Sequence, residues 1–390
     1  MKINFFKFKK STLFILYILS FIFAFTSSIP AYINSSFIKS LTSEQAVGLF
    51  FALSAVFSLI SLIFVPKLLK RFGNYKITLY LSALYFLNFL GLAFFHSVFL
   101  VLFCFLISGA ISTAIYFNFD IFIEHNSSDT ITGGIRGTYL TSLNLAWLFS
   151  PWLSGLIVQE FSYRMIYFIV ALIMIPILFI ITSSLKDFKD PDYKTFNILE
   201  TIKDIGPNKN IKNIIISGFM LQFFYSWMII YGTIYLNQYI GFDFVTSGII
   251  FSIALIPFVV VQIPLGYLAD KKMGEKELLT LGFILMGIST AIIPLVHNKS
   301  FVIWTVILFV GRTGAAMVEV MNDTYFFKQV NDKNLNIINF YRFISASAYV
   351  VAPIVAVLLM LFIPIYGIFY ILGLIMIFAV RYSLTIKDTL

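Results

Sequence analysis

The sequence predicts an all-α membrane protein of twelve transmembrane helices, arranged as two pseudo-symmetric six-helix bundles. Three observations carry this expectation. Of 390 residues, 60% are hydrophobic and only 12% charged, against about 25% charged in an ordinary soluble domain. The apolar residues gather into twelve stretches of about 18–26 residues, each long enough to cross about 30 Å of hydrocarbon as a helix. Landmarks of the first half also recur in the second at a nearly constant offset.

In order, the stretches lie near 12–33, 46–66, 77–95, 98–119, 138–158 and 165–184, then near 213–235, 244–265, 278–296, 301–326, 338–361 and 364–382. Lysines ahead of the first run also describe a secretory signal. That run continues through Ile29-Pro30-Ala31-Tyr32-Ile33 without a small-x-small cleavage site, so it is read as the first membrane helix.

Orientation follows from the cations, which accumulate in cytoplasmic loops. With the N-terminus inside, 23 of the 27 Lys and Arg fall on inner segments; Lys39, Arg164 and Lys299 fall outside and Arg312 within the membrane. Both termini are then cytoplasmic, in a multi-pass protein of the plasma or inner membrane. Nucleic-acid binding needs cations clustered on an exposed face. Here the net charge of +9 is spread over short gaps between apolar runs, and no nucleic-acid partner is expected.

Between the sixth and seventh stretches, residues 185–212 turn to charge, Asn and two prolines. This linker divides the chain into 1–184 and 213–390, with part of it, near Phe196 to Ile205, spaced for a helix on the membrane surface. Pro66 and Gly266, Asp120 and Asp323, Arg136 and Arg342, and Pro151 and Pro353 pair at offsets of 200, 203, 206 and 202. Duplicated six-helix units characterise secondary transporters, whose solute site lies near the membrane midplane.

On these features the chain resembles the major facilitator superfamily. The motif that carries the likeness best is Gly266-Tyr267-Leu268-Ala269-Asp270-Lys271-Lys272-Met273-Gly274-Glu275-Lys276, similar to that family's loop between helices. The resemblance implies that Asp270, with Gly266, Lys271 and Gly274, makes a cytoplasmic latch that breaks and reforms as the halves rock. The first-half copy, Pro66 to Gly73, keeps cations and Gly73 but has Lys70 where the acid stands. Glu124 with Arg136-Gly137 resembles the family's acid and Arg-Gly pairing between helices four and five. Ser150-Pro151-Trp152-Leu153-Ser154-Gly155 resembles the Gly-Pro motif of exporters, where proline and small residues permit a kink and close helix approach. Asp120 and Arg342 join the gating set at the ends of helices four and eleven.

The tenth stretch, Phe301 to Gln329, holds three charges. Arg312, Glu319 and Asp323 stand at i, i+7 and i+11, within roughly 20° of one line on the helix. An ionisable group at a helix centre in lipid costs at least ~2.5–3.5 kcal/mol, so it faces protein or a water-filled cavity. Counting from Phe301, Arg312 is roughly 16 Å deep, near the midplane. Arg312 is expected to meet the solute or set the charge of its path, with Glu319 and Asp323 coupling movement to protons. A structural alternative is a fixed charge pair that stabilises packing. Burial favours a neutral carboxyl and a nearby Arg a charged one, an opposition the sequence leaves open.

Further polar candidates are Asn34, Asn144, Trp147, Gln222 and Tyr225; the last two, three apart, share a helix face. His96, His125 and His297 lie in separate loop regions, so no metal or acid-base cluster is expected, and there is no GxxxxGK[ST] loop to drive transport with ATP. Cys104 stands alone and allows no internal disulfide.

The expected protein is therefore a monomeric secondary transporter in a lipid bilayer. It needs no cofactor, is not an enzyme, and moves a small-molecule substrate by alternating access with protons as coupling partner. A transport-inactive membrane receptor or scaffold and an exporter of amphipathic compounds are the alternatives.

Overall fold

A computed structural model describes residues 2–126, 132–191, 205–206, 208–261, 264–265, 274–329 and 335–387. They are overwhelmingly helical, as chain in hydrocarbon must be when every peptide group has to find its partner within its own segment. In order these are α1 (Lys2–Leu41), α2 (Glu44–Phe72), α3 (Asn74–Phe94), α4 (Val98–Asn126), α5 (Thr132–Glu160) and α6 (Tyr163–Ser184). After the linker come α7 (Lys209–Tyr239), α8 (Phe244–Val260), α9 (Gly274–Ile292), α10 (Phe301–Gln329), α11 (Leu335–Met360) and α12 (Ile365–Leu384). Eleven of these twelve are long and apolar enough to span a membrane among the described residues, α8 being shorter. The run expected over 244–265 is interrupted because Pro257 has no N–H, and the Ile256 amide turns instead to the Ile253 carbonyl at 3.1 Å.

Several helix starts are fixed by side chains written into the sequence. Ser162 accepts from the Met165 amide, Asn208 from those of Asn210 and Ile211, and Asp243 from that of Thr246. At its far end α7 widens into a π turn over Tyr235–Tyr239, whose two tyrosine rings stack 5.8 Å apart.

The helices gather into two compact units, Met1–Asn34 with Leu53–Thr195 and Ser35–Ala52 with Phe196–Leu390. In the first, α3 lies against α4 and α6, and Phe23 meets the rings of Tyr85, Tyr116 and Phe119 at 5.8, 4.9 and 5.2 Å. The hydroxyls of Ser28 and Ser150 meet at 2.6 Å. That bond brings α1 close to α5 beside Pro151, so the small residues there serve close approach.

Between α2 and α3 the chain turns through Gly73 at φ 82°, a conformation that excludes most side chains. Asp190, from the segment after α6, accepts a hydrogen bond from the Asn74 amide at 2.7 Å. It thus caps α3 where Gly73 offers no side chain. Phe188 of the same segment stands edge-on to Phe122 and His125 at 4.6 and 4.9 Å, so the linker's first residues are docked on the ends of α3 and α4.

In the second unit α9 lies between α10 and α12, and α7 against α11. The α9–α10 seam depends on Gly282 and Gly314, and the α9–α12 seam on Gly287 and Gly373: a Cβ at any of them would stand under 3.0 Å from a neighbouring atom. Trp227 of α7 is fully buried and its indole N–H donates to the Ala352 carbonyl.

Candidate functional site

The charged face of α10 is organised by aromatic residues from two neighbouring helices. Arg312 is buried, 3% exposed, and its guanidinium carbon lies 5.6 Å from the ring centroids of both Phe224 and Tyr225 on α7. Rings attract a cation through their quadrupole, more strongly once water is excluded. Among the described residues no direct ion pair joins Arg312 to Glu319, and Nη2 of Arg312 has no hydrogen-bond partner.

Glu319 receives instead the hydroxyl of Tyr225, which donates to Oε2 at 3.2 Å. One turn on, the Tyr341 hydroxyl of α11 donates to Asp323 Oδ1 at 2.8 Å and accepts from Asn322 Nδ2 at 2.7 Å. Tyr341 is held by stacking on Phe326, centroids 4.3 Å apart. Gly218 of α7 leaves room for it, since a Cβ there would stand 2.8 Å from the Tyr341 ring. Each acid of α10 is thus bound by a tyrosine from a different helix, and Tyr225 touches both Arg312 and Glu319.

Of the other candidates, Gln222 lies partly buried three residues before Tyr225. In the first unit Asn34 accepts from the Tyr167 hydroxyl at 2.8 Å. Trp147 stands edge-on to Tyr32 at 6.4 Å, and Asn144 is partly buried on the same helix. Gly266, Asp270 and Lys271 lie outside the described residues, as does the side chain of Arg136. Gly274 opens α9 at φ 74°. Asp120 and Arg342 are partly buried at the ends of α4 and α11, and Glu124 is exposed.

Three polar clusters escape sequence reasoning. Tyr341 is one of many tyrosines and carries no signal by itself. Glu275, wholly buried, pairs with Lys328 at 2.7 Å, and its signal was a carboxylate in the first turn of an apolar helix. Lys39 pairs with Glu44, whose carboxylate also receives the Tyr239 hydroxyl at 3.1 and 2.9 Å; opposite charges five apart across a helix break were the clue.

The family profile described as Major Facilitator Superfamily matches residues 14–337 and 214–387. No curated protein matches the chain in sequence. Among solved structures the chain is similar to a POT family transporter in complex with a thioalcohol-conjugated peptide, 14% identical over 95% of this chain and 94% of that one, TM-score 0.76. It is also similar to a POT family transporter in complex with 5-aminolevulinic acid, 14% identical over 95% and 94%, TM-score 0.78. A mutant of the nucleoside transporter NupG is 12% identical over 95% and 99%, TM-score 0.76. At such identities the likeness is one of fold.

Proposed function

The chain belongs to the major facilitator superfamily and is a multi-pass secondary transporter, not an enzyme; from that premise we propose that it moves a small polar solute by alternating access, coupled to protons exchanged on Glu319 and Asp323. The observation that carries this reading is the pair of tyrosine–carboxylate bonds, Tyr225 to Glu319 and Tyr341 to Asp323. An ionised carboxylate only accepts, whereas a protonated one also donates. Gain or loss of a proton therefore changes how α10 is tied to α7 and α11. The two acids are one helical turn apart, so their protons come and go as a coupled pair.

Arg312 is assigned the charge of the path rather than direct contact with the solute, because its guanidinium is buried and lies 5.6 Å from the ring centroids of both Phe224 and Tyr225. The solutes named with the POT neighbours, a peptide conjugate and 5-aminolevulinic acid, support the small polar class. Residues 1–184 and 213–390 serve as the two moving halves joined by 185–212, in a plasma or inner membrane with both ends cytoplasmic. The distribution of 23 of 27 cations supports that orientation.

The test is Glu319→Gln in proteoliposomes with an imposed pH gradient. Gradient-driven accumulation should vanish while exchange of labelled solute persists. Accumulation equal to the parent's sinks the coupling role.

A further inference from the structure

The Phe72 end of α2 carries charge that the transport reading leaves unused. Where the second-half loop motif has Asp270, this turn has Lys70, with Lys67 and Arg71 beside it. All three are exposed, and none is ion-paired among the described residues. The nearby carboxylate of Asp190 is engaged by the Asn74 amide at 2.7 Å. That bond also brings the exposed Lys189 to this end of the first unit, where exposed Lys76 stands in the first turn of α3.

Helical spacing sorts the end of α2 into two faces. Val65 and Leu69 are buried and cluster with Ile77 and Ala114. Phe64, Lys67, Leu68, Arg71 and Phe72 stand at i, i+3, i+4, i+7 and i+8 and share a second face. Its three apolar members are 54, 40 and 44% exposed. Lys67 Nζ lies 5.5 Å from the Phe64 ring centroid, and the Arg71 guanidinium carbon 5.1 Å from that of Phe72. Each charge is thus held beside an outward-facing ring.

The same face runs back through Ile60, Phe57 and Leu53, which are also exposed. Leu53 to Phe64 covers roughly 16 Å of helix, about half of a hydrocarbon core of ~30 Å. An apolar strip one leaflet long suits an acyl chain, and unpaired cations at its end suit a phosphate oxyanion at the headgroup level. A soluble phosphate leaves the strip unused. A zwitterionic headgroup brings a cation of its own to a place that already holds three.

We propose that this stripe binds one phospholipid with a net negative headgroup, its phosphate held by Lys67 and Arg71 with Lys70 adding charge, and a chain lying along Leu53 to Phe64. The proposal does not rest on solute transport or proton coupling and is read by binding alone. Detergent-purified protein is titrated with dioleoylphosphatidylglycerol or with dioleoylphosphatidylcholine, and bound lipid is counted by native mass spectrometry.

The first phosphatidylglycerol should bind at least about tenfold more tightly than phosphatidylcholine, each cation at a headgroup being worth roughly fivefold. Lys67→Gln, Lys70→Gln and Arg71→Gln together should remove that preference. Lys209→Gln, Lys212→Gln and Arg381→Gln, at three exposed cations of the second unit, should keep it within about twofold. A photoactivatable phosphatidylglycerol on the parent alone frees the test from the folding of any variant, and its label should concentrate on residues 53–72. Equal affinity for the two lipids overturns the proposal, as does a preference that falls equally in both triple variants. Label spread evenly over the helices overturns it too, and displacement of the lipid by equimolar glycerol 3-phosphate, which would assign the cations to a soluble phosphate, does so equally.

Discussion

Replacing Gly314 by alanine tests the seam that holds the charged helix. A Cβ at this position would stand 2.5 Å from the Gly282 carbonyl oxygen and 2.9 Å from both Leu285 Cβ and Met286 N. Close carbon–oxygen contacts settle near about 3.3 Å, so α9 and α10 must part by roughly 0.8 Å. The obstacles are mostly backbone, which cannot swing aside. Overpacking of this kind costs about 1–3 kcal/mol, of which the better helix propensity of alanine returns at most about 1 kcal/mol. For a unit of this size each kcal/mol moves the melting midpoint by about 2–4 °C. Gly232→Ala is the control, since its new Cβ would meet Met228 and Phe251 at 3.8 and 3.9 Å, ordinary contact distances. In detergent, Gly314→Ala should melt several degrees below the parent while Gly232→Ala matches or exceeds it. Equal midpoints for the two variants refute the claim that close backbone approach at Gly314 joins α9 to α10.

Tyr341→Phe removes the donor to Asp323 and the acceptor of buried Asn322, a loss of about 1–3 kcal/mol; it should lower the midpoint more than Tyr225→Phe does, because the Tyr225 hydroxyl serves Glu319 and no buried amide. Asp190→Ala uncaps α3 at a cost of about 0.5–2 kcal/mol, visible as faster hydrogen exchange in the first turn of α3, whereas Asp187→Ala should leave that turn unchanged. For Asp243, partial burial pushes the carboxyl up, but hydrogen bonds from the Thr246 hydroxyl and amide outweigh it and hold the group below its usual value. A depressed folded-state pKa adds stability above the unfolded value and loses it as pH falls through the folded one. The midpoint difference between parent and Asp243→Ala should thus be constant above about pH 5 and shrink below about pH 4.

What could be read in advance divides by the range of the interaction. The twelve helices were legible because lipid demands long apolar runs, and the common face of Arg312, Glu319 and Asp323 because helical spacing is local arithmetic. The tyrosines that bind those acids were only partly so. Tyr225 could be named, but its pairing with Glu319 joins residues 94 apart, and Asp190 reaches Asn74 across 116. Such contacts follow from how helices pack, which hydropathy does not encode. The break of α8 at Pro257 was local and could have been found, since an interior proline removes a helix bond. It passed unmarked inside an apolar run of full length.

The most direct test of the account measures solute flux and proton flux in the same proteoliposomes. A pH-sensitive dye is trapped inside and a library of small polar solutes is added outside. The account predicts that the solute that enters brings protons with it in the parent. It also predicts that this proton signal disappears when Glu319 and Asp323 are both replaced by their amides, while labelled solute still exchanges. Solute entry without any change of internal pH in the parent, or an undiminished proton signal in the double variant, contradicts it.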